Sequence, residues 1–234
     1  MKLVVDSHTH TVASSHAYST ILENVEYAKK NNMKMICWTD HAHKTPGGAH
    51  PWHFWNLKIV PRVVNGIIVL KGAEANILDD RGGLDSLEDD DYMGLDIVIA
   101  SIHSSLLEPK TKEYHTNAYI NAIKTGKVNI IGHPDDKKYD FFVEEVVKVA
   151  KEYNVAMELN NASMNIGRSD YDRIDKILNC CKEYGVCISC GSDAHFAFDV
   201  GNFSNIIPIL KKNNFPEKLI LNTDEKKFLK FFNL

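Results

Sequence analysis

Short apolar runs alternate with longer amphipathic runs along the whole chain. The apolar runs are rich in Val and Ile and have the length of buried strands. They predict strands at 3–5, 34–39, 67–71, 96–101, 129–132, 155–159 and 186–189, with a short one at 218–221. The amphipathic runs predict helices at 20–31, 55–64, 115–125, 141–152, 170–184, 203–212 and 225–232. Alternation of this kind indicates βαβ units and a parallel sheet, and about seven units favour a closed or nearly closed α/β barrel.

Histidines and carboxylates stand where the predicted strands end. His8 and His10 follow the first strand and lie two residues apart, so both side chains face one side and can reach one metal ion. Asp193 and His195 repeat this spacing after the seventh strand. In a parallel barrel all these strand ends meet at the same rim, where active sites are built. The other strand-end candidates are Asp6, Asp40, His41, Glu74, His103 and His133.

The number of candidate ligands exceeds what one metal ion needs. A tetrahedral zinc takes four ligands, so we expect two or three clustered ions that share a bridging carboxylate. Imidazole and carboxylate donors without thiolates suit Zn, Mn or Fe. Taken singly, Glu74 could form a barrel-rim ion pair and His103 a buried hydrogen bond, but the recurrence at successive strand ends favours metal binding. With His16 in a nearby loop, the candidates are His8, His10, His16, His41, Glu74, His103, His133, Asp193 and His195.

Composition and charge narrow the remaining classes of protein. The chain has 234 residues, 44% hydrophobic and 25% charged, which is consistent with one domain spanning 1–234. The formal net charge of −4 argues against binding of long nucleic acids. Neither an apolar run of membrane-spanning length nor a signal-peptide pattern is evident, so we expect a cytoplasmic protein without a membrane partner.

The five cysteines indicate reduced, buried thiols, because their number is odd and no export signal is evident. Cys187 and Cys190 match the C-x-x-C spacing. They fall within a predicted strand, however, where residues three apart face opposite sides. This spacing therefore makes a poor redox or zinc pair.

Taken together, these motifs resemble the PHP (polymerase and histidinol phosphatase) superfamily, and most closely its YcdX-like bacterial phosphatase branch. The resemblance covers essentially the whole chain. It implies a distorted (β/α)7 TIM-like barrel with a trinuclear metal site, usually zinc. The motifs that carry it are Asp6-x-His8-x-His10, Thr39-Asp40-His41, Glu74, His103, His133-Pro134, Glu158-Leu-Asn160-Asn161, Ser192-Asp193-x-His195 and the segment 52–64.

The resemblance also implies a distribution of ligands among three ions. The first ion would take His8, His10, Glu74 and Asp193. The second would share Glu74 and take His103 and His133, and the third would take His16, His41 and His195. Asp6 and Asp40 are expected to accept hydrogen bonds from ligating imidazoles, which usually donate their second N–H to a carboxylate or carbonyl. The loops at 43–49 and 165–168 depart from the branch pattern, which leaves the substrate open.

Such a cluster suits direct hydrolysis of small phosphate monoesters by a metal-bridging hydroxide. Clustered cations lower the pKa of a bound water and stabilise charge on the phosphoryl oxygens. No motif for a Cys or Ser nucleophile is evident. Arg62 and Arg168 are the candidates for binding phosphate, because a guanidinium matches phosphate oxygens. Asp193 or a metal-bound water would carry the proton of the leaving group.

Several other interpretations compete with a general phosphatase. A phosphodiesterase or nuclease on short nucleotides would use the same site, and a histidinol-phosphate phosphatase is a narrower form of the main hypothesis. An amidohydrolase-type barrel would need a strand-end lysine, for which only Lys71 lies nearby. A metal-binding protein without turnover belongs to a different class altogether. Members of the branch can form homo-oligomers, but no sequence pattern commits this chain to one.

Overall fold

The structure, a computed structural model, describes residues 1–85 and 94–234. The strands are β1 (Val5–Thr9), β2 (Met35–Trp38), β3 (Val63–Val64), β4 (Ile67–Asn76), β5 (Ile97–Ser101), β6 (Ile130–Ile131), β7 (Ala156–Asn160) and β8 (Ile188–Gly191). The helices are α1 (Ile21–Lys30), α2 (Pro51–Asn56), α3 (Lys112–Lys124), α4 (Val143–Glu152), α5 (Asn161–Asn165), α6 (Tyr171–Tyr184), α7 (Ile206–Lys212) and α8 (Glu225–Phe231). Among these residues, no helix combines the length and apolar character needed to span a bilayer.

Seven strands form a parallel sheet in the order β1-β2-β4-β5-β6-β7-β8, and β3 pairs antiparallel with β4. The two outer strands meet near their carboxyl ends, where the amide of Asp193 donates to the carbonyl of His8 over 2.9 Å. Between β1 and β8 the side chain of Asn222 donates to the carbonyls of Val5 and Cys190. The sheet is therefore a nearly closed α/β barrel, which confirms the predicted fold class.

The barrel interior is apolar at the amino ends of the strands and polar at their carboxyl ends. Alternate residues of β5, Ile97 and Ile99, are fully buried inside and pack with Met35 of β2. Phe228 of α8 joins this group and closes the amino end. Since Glu74 continues the inward-facing series of β4 past Leu70, the polar side chains gather above this apolar floor.

The predicted helix at 55–64 is wrong. The helix in this region is α2, which begins earlier with Pro51 at its first position, where the missing N–H costs nothing. The chain then makes a 3-10 turn and forms β3, which is joined to β4 by Asn65 and Gly66 with φ of 49° and 86°. An Asn-Gly pair with two positive φ angles makes the tight turn that β-hairpins prefer. This local turn outweighs the amphipathic pattern.

Other boundaries also shift. The predicted strand at 218–221 is a 3-10 turn, Glu217–Leu219, followed by a single bridge between Ile220 and Ile188. The irregular stretch expected at 78–93 is described only to residue 85, and its remainder lies outside the described residues. Both β1 and β4 extend further than predicted, so that His8 and Glu74 lie within strands.

Candidate metal centre

All nine predicted ligands come together at the carboxyl ends of the strands. We call this group the histidine cluster. β1 and β4 contribute residues from within the strand, whereas the other ligands come from the segments that follow β1, β2, β5, β6 and β8. Its members are His8, His10, His16, His41, Glu74, His103, His133, Asp193 and His195.

Glu74 lies at the centre of the histidine cluster. Its Oε2 is 2.6 Å from Nδ1 of His41, 3.5 Å from Nε2 of His8 and 3.6 Å from Nε2 of His10. Its Oε1 is 3.0 Å from Nε2 of His133 and 3.3 Å from Nε2 of His103. One carboxylate therefore faces ring nitrogens from five imidazoles. This position would suit the bridging carboxylate that the sequence analysis predicts.

The ligand atoms form overlapping groups of three, each within 4.8 Å of one another. His10 belongs to two groups, one with His8 and Asp193 and one with His41 and His195. The third group joins His41 to Glu74 and His103. The sequence-based distribution had placed His41 with His16 and His195. The structure brings all of these residues together, and it puts His41 next to Glu74 as well.

The donors of the histidine cluster fit a divalent metal. Several fully buried atoms have no hydrogen-bond partner among the described residues: Nε2 of His8 and His10, both ring nitrogens of His41, Oε2 of Glu74 and Oδ1 of Asp193. Polar atoms buried without partners are costly, and here they converge on each other. The donors are nitrogen and oxygen, and all five cysteines are free thiols outside the groups of ligands. This chemistry suits Zn, Mn or Fe.

The surroundings favour the metal-binding protonation states of Glu74, Asp193 and His10. Burial alone would raise the pKa of Glu74, but the imidazoles of His103, His41 and His8 bring it well below the usual value. Asp193 behaves in the same way, because His8 and His10 outweigh its burial and keep its pKa low. Burial, reinforced by His41, lowers the pKa of His10 to about 3. Ionised carboxylates and a neutral imidazole are the forms that coordinate a cation.

Two side chains that the sequence analysis did not assign orient the imidazoles. Glu158 of β7 accepts a hydrogen bond from Nδ1 of His8 over 2.8 Å, and Asn76 at the end of β4 accepts one from Nδ1 of His103 over 2.6 Å. Asp85 in turn accepts from the Asn76 side-chain amide over 2.7 Å, which sets the orientation of that amide. In both imidazoles Nε2 is left for a metal. In the sequence, Glu158 and Asn76 could have been recognised as polar residues at inward-facing positions of apolar strands.

Asp6 and Asp40 were expected to contact ligating imidazoles, and neither does. Asp6 accepts backbone N–H groups from Ser192 and Gly201 and thereby holds the loop after β8. Burial raises the pKa of Asp6 to about 6. Asp40 accepts from Ser14, whose hydroxyl accepts the backbone N–H of His41. Both carboxylates therefore act on the loops around the histidine cluster: Asp6 through backbone N–H groups, and Asp40 through the N–H of Thr11 and the hydroxyl of Ser14.

Two members of the histidine cluster adopt backbone conformations that non-glycine residues rarely take. His133 has φ of 28° and Asp193 has φ of 55°. Such strain costs of order 1–3 kcal/mol and persists where surrounding contacts enforce it, often at functional sites. The backbone N–H of His133 donates to Glu158 over 2.7 Å, and that of Asp193 donates to His8 over 2.9 Å. These hydrogen bonds join both strained residues to other parts of the site.

A cavity of about 530 Å³ opens onto the histidine cluster. Arg168 lines this cavity, with Nε 3.1 Å from Asp136 and a terminal nitrogen 3.4 Å from Nδ1 of His133. The ion pair with Asp136 holds the guanidinium at the edge of the cluster. Residues of α5 and of the turn after it, including Asn165 and Ile166, also line this cavity.

The structure does not bring Arg62 to the histidine cluster, so the expectation that it contacts substrate is corrected. Its guanidinium pairs with Asp96 at 2.5 Å, and its carbonyl accepts from the amide of Val69 in the first half of β4. Asp96 immediately precedes β5. Arg62 therefore lies near the amino ends of the strands, whereas the cluster lies at their carboxyl ends. The antiparallel β3 hairpin turns the chain toward that end.

The fold is shared with solved structures of low sequence identity. A crystal structure of histidinol phosphate phosphatase from Lactococcus lactis subsp. lactis Il1403, complexed with zinc, L-histidinol and phosphate, superposes with a TM-score of 0.64 at 18% identity. The match covers 92% of this chain and 95% of that one. A chain in the cryo-EM structure of archaeal ribonuclease P with mature tRNA gives 0.61 at 13% identity, covering 97% and 90%. At these identities the likeness concerns the fold.

Sequence relatives are much closer. A "probable phosphatase" of Photobacterium profundum is 46% identical over 232 residues, which cover 99% of this chain and 94% of that protein. One of Clostridium novyi is 45% identical over 232 residues, covering 99% and 95%. The family model described as PHP domain matches residues 6–169. With this match over most of the chain and relatives of such identity, the chain belongs to the PHP domain family.

Proposed function

We propose that the chain is a metal-dependent phosphatase that hydrolyses small phosphate monoesters. The observation that carries this proposal is the convergence of unpartnered imidazole and carboxylate atoms around Glu74 at the floor of an open cavity. Relatives named probable phosphatases, matched over nearly their whole length, support the same reaction class. The cavity volume of about 530 Å³ suits a substrate of metabolite size.

The nine members of the histidine cluster would hold three divalent ions, with zinc as the first candidate and Mn or Fe as alternatives. One tetrahedral ion uses four ligands, so nine donor residues, one of them the shared carboxylate of Glu74, exceed the needs of a single ion. When bound, clustered divalent ions supply a hydroxide nucleophile near neutral pH and neutralise charge on the phosphoryl oxygens.

Residues of this chain would bind the phosphoryl group and accept the proton. Arg168 stands at the cavity wall, where its guanidinium would bind a phosphoryl oxygen while Asp136 keeps its orientation. Asp193 has a pKa well below the usual value, because His8 and His10 outweigh its burial. An ionised carboxylate accepts protons and cannot donate one, so Asp193 would serve as a ligand and proton acceptor. Asn160 donates to Asp193 over 3.2 Å and holds it in place.

Substitution of the central carboxylate tests this function. Glu74→Gln should lose bound metal and turnover of p-nitrophenyl phosphate together, because an amide cannot bridge cations as a carboxylate does. Metal content is measured by elemental analysis of the purified protein. Glu225→Gln makes the same change at the start of α8, where the carboxylate pairs with the exposed Lys34, and it should retain both. Full turnover by Glu74→Gln without its metal would refute the proposal.

A second assay separates monoesters from diesters. Wild-type protein loaded with zinc is compared on p-nitrophenyl phosphate and bis-p-nitrophenyl phosphate, and histidinol phosphate joins the screen as a specific metabolite. Faster turnover of the monoester is the expected result. A preference for the diester would move the function to phosphodiesters and short nucleotides, while inactivity on both with metal bound would favour a protein without phosphate chemistry.

A further inference from the structure

The carboxylate of Glu158 lies fully buried beneath the histidine cluster. Its Oε1 accepts from Nδ1 of His8 over 2.8 Å, and its Oε2 accepts from the backbone N–H of His133 over 2.7 Å. The amide of Asn160 also donates to Oε2, over 3.2 Å, and continues to Asp193. Glu158 thus connects residues from three different strand ends. It is not among the groups of ligands itself.

The contact with His8 determines which ring nitrogen faces the metal centre. A neutral imidazole carries one proton, on Nδ1 or on Nε2. Because a carboxylate only accepts, Glu158 requires a proton on Nδ1, so with a metal bound the lone pair of Nε2, the ring nitrogen nearer Glu74 and Asp193, would be the one that coordinates it. Carboxylate partners of this kind fix the tautomer and raise the basicity of metal-binding histidines.

The contact with His133 acts on the backbone. His133 has φ of 28°, a value that L-residues rarely adopt. The hydrogen bond to Oε2 of Glu158 anchors its N–H group, while Nε2 of the same residue lies 3.0 Å from Glu74. A neutral side chain with a single acceptor oxygen could satisfy only one of the two donors, His8 or His133.

The barrel leaves room for this carboxylate through a glycine. A Cβ on Gly191 would lie 2.3 Å from Oε1 of Glu158 and 2.6 Å from Cβ of His8. Both distances are far below van der Waals contact. β8 can therefore pass beside β7 and β1 at this level only where it carries no side chain, and Glu158 and His8 occupy the space.

We infer that Glu158 is a positioning residue that uses its two acceptor oxygens to set the His8 tautomer and the strained His133 backbone at the same time. The inference rests on the metal centre of the proposed function and deepens it. Two buried N–H donors, from His8 in β1 and from His133 after β6, approach Glu158, and only a carboxylate offers a separate acceptor oxygen to each.

Glu158→Gln is the decisive variant, because it keeps the shape and removes one acceptor. Whichever way the amide turns, its NH₂ group faces either His8 Nδ1–H or the His133 N–H. Loss of such a partner typically weakens metal binding by about 10- to 100-fold. Zinc affinity is measured on the full chain by competition with a chromophoric chelator, alongside Glu225→Gln as the control for loss of one negative charge.

An NMR signature separates positioning from a merely structural role. In zinc-loaded protein with ¹⁵N-labelled histidine, the Nδ1–H proton of His8 should resonate far downfield, because it is hydrogen-bonded to a carboxylate. This signal should be lost or move upfield in Glu158→Gln and stay in Glu225→Gln. If Glu158→Gln does not fold, Glu158→Asp replaces it: the shorter carboxylate cannot reach both donors, so zinc affinity should fall here too.

The possible outcomes separate failure of this inference from failure of the proposed function on which it rests. A wild-type chain that binds no zinc, manganese or iron would overturn the metal centre, and the inference with it. A wild type that binds zinc, with Glu158→Gln binding equally tightly and showing an unchanged His8 signal, would overturn the positioning role alone. Weaker zinc binding with the His8 signal altered, in a variant whose metal-free fold is intact by circular dichroism, is the expected result.

Discussion

Asp40→Asn should destabilise the protein strongly although the side chain lies outside the ligand set. The buried carboxylate accepts four hydrogen bonds. Oδ1 receives the backbone N–H of Thr11 and the hydroxyl of Ser14, at 2.7 and 2.8 Å. Oδ2 receives the hydroxyl of Thr11 at 2.7 Å and Nε1–H of Trp38 at 2.5 Å. Nε2 of His53 lies 3.1 Å from the same oxygen.

The size of the stability loss in Asp40→Asn depends on which hydrogen-bond donors can rotate away from the new NH₂ group. The hydroxyls of Thr11 and Ser14 rotate, but the amide of Thr11 and the indole N–H of Trp38 cannot. An asparagine NH₂ therefore meets a fixed donor in either orientation, and one unsatisfied buried donor costs about 1–3 kcal/mol. The other hydrogen bonds lose charge assistance, worth about 1 kcal/mol each, while relief of carboxylate burial offsets part of this. We expect a net loss of about 3 kcal/mol.

Thermal unfolding measures this loss. For a chain of this size, 1 kcal/mol shifts Tm by about 2–4 °C, so Asp40→Asn should melt about 6–12 °C below wild type. Metal is removed with chelator from both samples, so that ligand binding does not enter the comparison. Asp199→Asn makes the same change on an exposed side chain and should shift Tm by no more than a degree or two. A similarly small shift for Asp40→Asn would refute the account of its hydrogen bonds.

Two further predictions concern the arginines and the thiols. Arg168→Ala should lower kcat/KM for p-nitrophenyl phosphate by about 10- to 100-fold, which corresponds to the loss of one charged hydrogen bond. Arg62→Ala should leave kcat/KM unchanged, because the guanidinium of Arg62 pairs with Asp96. Equal effects of the two substitutions would contradict these positions. Burial raises the pKa of every cysteine thiol. A thiol reagent should therefore label at most the two half-buried cysteines in the native protein, and all five only after unfolding. Rapid labelling of more than two cysteines in the native protein would contradict the packing. The half-buried thiols are Cys180 and Cys187, and the buried ones are Cys37, Cys181 and Cys190.

The α/β barrel and the PHP family could be predicted because both depend on local signals. Residues such as Ile97 and Ile99 alternate inward along a strand, and the polar residues Ser101 and His103 follow where the apolar run ends. Parallel strands bring their carboxyl ends to one rim whatever the details of the loops. Convergence of the ligand residues was therefore implied by their order along the chain, although His8 and Glu74 proved to lie inside strands.

Local signals also explain where prediction failed. The segment 55–64 has a helical pattern, but Asn65 and Gly66 form a tight turn that pairs β3 with β4. That hairpin keeps Arg62 at the amino ends of the strands. Both arginines looked equivalent in sequence, and only the path of the chain separated the one that lines the cavity from the one that pairs with Asp96.

The sequence by itself determined which side chains could coordinate metal and at which ends of the strands they stand. Only the tertiary structure decided how those ligands are held. Glu158 contacts His8 across 150 positions of sequence, and Gly191 makes room for both. No periodicity encodes such a contact, because hydrogen-bond geometry depends on the relative placement of β1, β7 and β8, which the packing of the whole barrel sets.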